Sequence, residues 1–109
     1  MQGKPFRDGP EYLANAAANI YNPAAGTYAI VSHIRLVNTT NTTRTASLYI
    51  GASGGSAGGT ELLGGYAIPA NDFLDLYFHL YLTSSDFLSG LASAASAVTI
   101  ITSGELFVS

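Results

Sequence analysis

Three features of the chain predict an all-β fold. The expected form is an antiparallel β-sandwich, jelly-roll or Ig-like, of about six to eight short strands with an extended N-terminal arm. First, the stretch Tyr28 to Asn38 (YAIVSHIRLVN) alternates with a period of two and is rich in β-branched residues. Second, turn-forming residues recur roughly every 8 to 14 positions. Third, only 10% of the residues are charged while 48% are hydrophobic. An ordinary soluble domain carries roughly 25% charge. At 109 residues the chain is one domain; folding at that size buries roughly two-thirds of the unfolded surface.

The balance of charge excludes several classes. Net charge is −3, and Lys4, Arg7, Arg35 and Arg44 are the whole basic complement. Four such residues cannot build the basic stripe of a nucleic-acid binder. Cysteine is absent, so neither a disulfide nor a thiolate metal site is available. Met1 to Gly9 is polar and lacks the apolar run of a secretory signal. No stretch approaches the 18 or so apolar residues of a membrane-spanning helix. So few charges leave little protection against association, and the surface reads as one made to be covered by other protein.

Taken in order, residues 1–16 read as the arm and 17–109 as the sandwich. Gly3, Pro5, Gly9 and Pro10 argue against a helix or a central strand. The segment 11–18 (EYLANAAA) favours one helical turn. Ala17 to Tyr21 is a short strand, and Pro23 to Gly26 (PAAG) a turn with glycine at the positive-φ position. In the 28–38 strand, Tyr28, Ile30, Ile34 and Leu36 fall on one face and Ala29, Val31, His33, Arg35 and Val37 on the other, with Ile30, Ile34 and Leu36 assigned to the core. The polar TTNTT at 39–43 is of hairpin length, leading to a strand at Arg44 to Gly51 with Ala46, Leu48 and Ile50 inward. The two are expected to pair as an antiparallel hairpin.

The loop 52–59 (ASGGSAGG) lacks the lysine and following helix of a phosphate-binding loop, so it reads as a surface loop. A strand from Thr60 to Leu63 ends at Gly64 and Gly65, which mark a bulge. After the IPAND turn, Phe73 to Leu82 is a strand with Leu74, Leu76, Phe78, Leu80 and Leu82 on one face. Phe73, Asp75, Tyr77, His79 and Tyr81 occupy the other, a face rich in tyrosine for plain solvent contact. A turn at Thr83 to Phe87 precedes a strand at Phe87 to Leu91, and the last strand is Val98 to Phe107 with a bulge at Gly104.

No constellation for catalysis emerges, and the chain is not expected to be an enzyme. His33 and His79 are the only histidines. Asp75 and His79 share a strand face but lie about 13 Å apart at about 3.3 Å per residue. That is too far for one ion, so no metal or cofactor is expected. The seven acids are dispersed, and no serine sits in a nucleophile elbow. The two Asn-Thr-Thr sequons, at Asn38 and Asn41, read as turn chemistry.

From about Ala17 onward the chain resembles small β-sandwich virion proteins of tailed bacteriophages. The resemblance rests on NIYNPAAGTYAIVSHIRLVNTT, TASLYIGASG, IPANDFLDLY and LASAASAVTIITSGEL. It implies a virion structural role, with capsid decoration on the outer head surface favoured. The implied partners are the major capsid protein or another virion protein, and copies of the chain itself, as a trimer. Synthesis in the host cytoplasm, no membrane and no nucleic acid follow from the same reading. A neck or tail component is the alternative within the family. A carbohydrate-binding module is the alternative outside it, if two of Tyr77, Tyr81 and Tyr49 form a coplanar exposed pair bordered by Asp75. The contacts expected to carry docking are Phe6, Arg7, Tyr12 and Leu13 on the arm, a clamp over residues 1–15, and Tyr77, His79 and Tyr81 on the odd face of the 73–82 strand.

Overall fold

A computed structural model describes residues 3–108 and contains only strands and connections. The elements are β1 (Lys4–Tyr12), β2 (Ala18–Tyr21), β3 (Thr27–Asn38), β4 (Arg44–Gly51), β5 (Glu61–Ile68), β6 (Phe73–Thr83), β7 (Phe87–Ala92) and β8 (Val98–Val108). They form two four-stranded antiparallel sheets, sheet A in the order β1-β8-β3-β6 and sheet B in the order β2-β7-β4-β5. Only β4 and β5 are neighbours both in sequence and in a sheet. The other connections cross between sheets, which makes this a double-sheet jelly roll and decides between the two sandwich types the sequence left open. Leu13, Val31, Ile34, Leu36, Leu48, Ile68, Leu82, Leu88, Val98 and Ile100 fill the space between the sheets.

The expected 28–38/44–51 hairpin does not form. β3 pairs with β6 and β8 in sheet A, while β4 pairs with β5 and β7 in sheet B. The connection is a corner built on the buried Asn38. Its Nδ2 donates to the carbonyls of Thr42 (2.8 Å), Ile68 (3.0 Å) and Pro69 (3.1 Å), and its Oδ1 accepts from Thr40 N (3.0 Å) and Thr40 Oγ1 (2.7 Å). A side chain that satisfies this many backbone groups replaces the hydrogen bonds that a hairpin ladder would have supplied.

The arm is the second correction. Lys4–Tyr12 is an edge strand of sheet A, paired with β8, and residues 11–18 contain no helical turn. An edge strand needs hydrogen bonds on one side only, so prolines that would break a central strand are tolerated. The ladder shifts register between Asp8 and Glu11, and Gly9 takes φ +95° there. The segment therefore belongs to the domain's own sandwich, and the boundary expected at residues 16 and 17 is not a boundary of the fold. Met1, which opened the expected arm, lies outside the described residues.

A third departure lies inside β3. Its register shifts between Val31 and His33 against both β6 and β8. Ala29 and Val31 point inward before the shift, and Ile34, Leu36 and Asn38 after it. Ile34 and Leu36 are buried as expected, but Ile30 faces outward. Against β8 the strand has one extra residue at Ser32, against β6 it is one residue short there, and the two faces of β3 exchange across this point. Gly104 lies opposite this bulge, and a Cβ there would sit 2.1 Å from the Ile30 carbonyl oxygen. The bulge expected at Gly104 is thus in the neighbouring strand, and the glycine permits its close approach. Elsewhere the patterns hold: Gly26 takes φ +80° in the PAAG turn, Ala46 and Leu48 are inward, and β5 shifts register at Gly64 and Gly65.

Candidate functional site: the outer face of sheet A

The bulge at Ser32 has a consequence on the surface. It places Tyr28 and Ile30 on the same outer face as His33 and Arg35, which strict alternation would have put on opposite faces. The outward side chains of β1, β8, β3 and β6 then form cross-strand rows. One row runs Arg7, Ser103, His33, Tyr77; another runs Tyr12, Thr99, Val37, Phe73; a third runs Pro5, Glu105, Ile30, Tyr81.

Aromatic stacking and one carboxylate order this face. Phe107 stacks on Tyr28 with ring centres 5.0 Å apart, and Tyr28 meets Tyr81 at 5.3 Å in a tilted arrangement. His33 stacks on Tyr77 at 4.7 Å, and the Arg35 guanidinium lies 4.3 Å over the Phe73 ring. Asp75 ties the last two groups together. It accepts from Arg35 Nε at 2.8 Å, from Arg35 Nη2 at 3.0 Å and from His33 Nε2 at 2.8 Å. A carboxylate only accepts, so this contact sets the His33 tautomer with the proton on Nε2. The hydrogen bonds from Arg35 and then His33 hold the Asp75 carboxyl well below the usual carboxylate range, and the hydrogen bond to Asp75 in turn raises Arg35. The side chains are thus fixed before any partner arrives, which lowers the ordering cost of binding.

The residues expected to dock separate into two groups. Arg7, Tyr12, Tyr77, His79 and Tyr81 are exposed, and the registers of the sheet A strands place them on this one face. Tyr77 is 75% exposed, Tyr81 56% and Tyr12 56%. Leu13 is 2% exposed and lies in the core, where its backbone N donates to Val98 O at 2.8 Å; this corrects its assignment as a docking contact. Phe6 turns inward and stacks on Tyr21 of sheet B at 4.9 Å, so it closes the β1/β2 end of the sandwich. Its period-two position relative to Arg7 carried that signal, once Lys4–Tyr12 is seen as a strand.

Phe73, Arg35, Asp75, His33, Tyr28 and Phe107 complete the face and were not singled out as contacts from the sequence. Phe73 was legible, since it shares the odd face of β6. The Asp75 cluster was not, because its partners lie 40 and 42 positions away. Tyr49 is in β4 of sheet B, so of the three tyrosines weighed for a sugar-binding pair only Tyr77 and Tyr81 share a face, with Asp75 on the same strand. A second acidic group sits at the β1 bulge. Burial, a hydrogen bond to Asp8 and the Asp8 charge raise the Glu11 carboxyl, and burial with the Asp8 charge raises Tyr21. Among the described residues no group of three His, Cys, Asp or Glu side chains is placed to hold a metal ion.

No protein-family model and no curated protein matches the chain. Solved structures do. A structure described as Bacillus endospore appendages that form a novel family of disulfide-linked pili aligns over 99% of this chain and 91% of that one, with TM-score 0.53 and 17% identity. A chain of infectious bursal disease virus, Gx strain, aligns over 99% of this chain with TM-score 0.51 and 11% identity. This chain spans only 30% of that viral chain. The likeness is one of fold. The disulfide linkage named for the pili has no counterpart here, because this chain has no cysteine.

Proposed function

We propose that this protein is a structural subunit of a virion, a decoration protein that docks on the outer surface of a tailed-bacteriophage head through the outer face of sheet A. The observation that carries the reading is that face itself: Phe73, Tyr77 and Tyr81, all more than half exposed, stand on one strand beside Tyr12 and the ordered Arg35–Asp75–His33 cluster. Tyrosine and arginine at this density fit a protein partner, since they provide contact area with little conformational entropy to lose. The one acid at the centre is neutralised by Arg35, so a partner meets an aromatic surface with little net charge. The sequence resemblance to phage virion proteins and the jelly-roll fold support the same reading, as does a chain with 10% charge. Self-association with the capsid as platform is part of the proposal.

The test is occupancy on assembled particles, located in a density map. Wild-type chain is expected on the head exterior, and Tyr77→Lys with Tyr81→Lys is expected to abolish its binding. Density at the neck or tail would move the subunit within the virion. Unchanged occupancy of the folded double variant would remove the face from the interface.

A further inference from the structure

The four sheet edges of this jelly roll are not alike. β1 carries Pro5, Pro10 and a register shift; β2 has 4 residues and a register shift; β5 is interrupted at Gly64 and Gly65. These are the devices by which proteins blunt exposed strand edges. Of these devices β6 shows only a register shift, at Phe78 and His79 opposite Ser32. It is 11 residues long, contains neither glycine nor proline, and alternates without a break from Phe73 to Leu82. That shift lies in its ladder to β3, on the side away from the free edge. Leu74, Leu76, Phe78 and Leu80 point toward the interior yet stay only half-buried, so the sandwich is open along this side.

We propose that the free edge of β6 pairs antiparallel with β6 of a second copy of this chain, about a two-fold axis at Tyr77. The strand reads as complementary to itself in that register. Asp75 falls opposite the partner copy's His79, Phe73 opposite its Tyr81, Leu74 opposite its Leu80 and Leu76 opposite its Phe78. A dyad at Asp75 would set like charges face to face, and dyads at Leu76, Phe78 or His79 would leave Asp75 opposite Tyr77, Tyr81 or Thr83. Directly opposed acid–base and aromatic pairs are the favourable units of an antiparallel ladder, and like charges the unfavourable ones. The pairing is isologous, as most closed dimers are. It joins two copies of sheet A into one eight-stranded sheet and brings the two copies' Tyr77 side chains together. It deepens the docking reading above by doubling the same aromatic face, and it replaces the threefold arrangement that the sequence resemblance implied.

Tyr77 sits on the axis, so a charge placed there meets itself. Sedimentation equilibrium of the full chain is expected to give twice the monomer mass. Tyr77→Lys alone and Tyr77→Glu alone are each expected to sediment as monomers with unchanged circular dichroism. Mixing these two variants in equal amounts is expected to restore the dimer mass. A wild-type monomer, a wild-type trimer, or variants that stay dimeric singly would each overturn the proposal, as would a mixture that stays monomeric. Particle occupancy separates the two readings. A wild-type monomer that still decorates particles sinks the edge pairing alone. A dimer that behaves as expected in the mixing experiment yet binds no particle sinks the decoration role alone.

Discussion

Arg35 and Asp75 stand directly opposite each other on β3 and β6, and the guanidinium holds both carboxylate oxygens, Nε to Oδ1 at 2.8 Å and Nη2 to Oδ2 at 3.0 Å. The fork geometry matches two oxygens at once, which a lysine cannot do. With His33 on the same oxygen as Nε, this carboxylate fixes the spacing of β3 and β6 on the outer face.

That arrangement sets the response to acid. The Asp75 carboxyl is depressed in the folded state, so between the folded value and the ordinary unfolded value the unfolded chain binds more protons. Stability therefore rises with pH in that interval. The contribution is complete above about pH 4, the ordinary Asp value, and is lost progressively below it. Melting temperature measured from pH 5 to 2 is expected to fall. Asp75→Asn should flatten that fall, and Arg35→Lys should move it to higher pH.

Glu11 titrates in the opposite sense. Burial and Asp8 raise it in the fold, so the folded chain holds the extra proton and stability falls as pH rises through the interval above its ordinary value. Glu11→Gln is expected to raise the melting temperature at pH 7 and to leave it little changed at pH 4. No gain at pH 7 would show that the Asp8–Glu11 contact carries no repulsion.

The bulge at Ser32 is tested by two isoleucines. Ile34 is fully buried, and Ile34→Ala should cost about 2–5 kcal/mol in denaturant unfolding. Ile30 faces outward after the register shift, and Ile30→Ala should cost about 1 kcal/mol or less. Uninterrupted alternation would make the two losses alike.

Gly104 tests the same feature from the neighbouring strand. Gly104→Ala drives a methyl group onto the Ile30 carbonyl and should destabilise by about 1–3 kcal/mol or more. Gly58→Ala, which meets nothing within 4 Å, should stay within about 0.5 kcal/mol of wild type.

Asn38 holds the corner between sheets. Asn38→Ala leaves buried carbonyls without donors, at about 1–3 kcal/mol for each such group. Asn38→Asp should also destabilise, because it keeps the acceptor but loses the donor that reaches Thr42, Ile68 and Pro69. Equal stability of the Asp variant would mean that the amide donor is dispensable.

Alternation and turn chemistry are local, so the sequence by itself determined the all-β class, the bounds of Arg44–Gly51 and the two faces of β6, with Tyr77, His79 and Tyr81 outward. It also contained the self-complementary order of β6, which is a property of that one strand. Pairing is not local. Nothing in TTNTT distinguishes a hairpin from a corner, because the choice rests on whether Asn38 can reach the Ile68 and Pro69 carbonyls some 30 residues on. Lys4–Tyr12 has the composition of a loose arm until β8 offers it a one-sided ladder on which its prolines do no harm. Only the tertiary structure decided that β3 bulges at Ser32, since one inserted residue reverses a strand's faces without altering its composition. That reversal gathers Tyr28, His33, Arg35 and Asp75 into one surface, from strands whose register alone makes them neighbours.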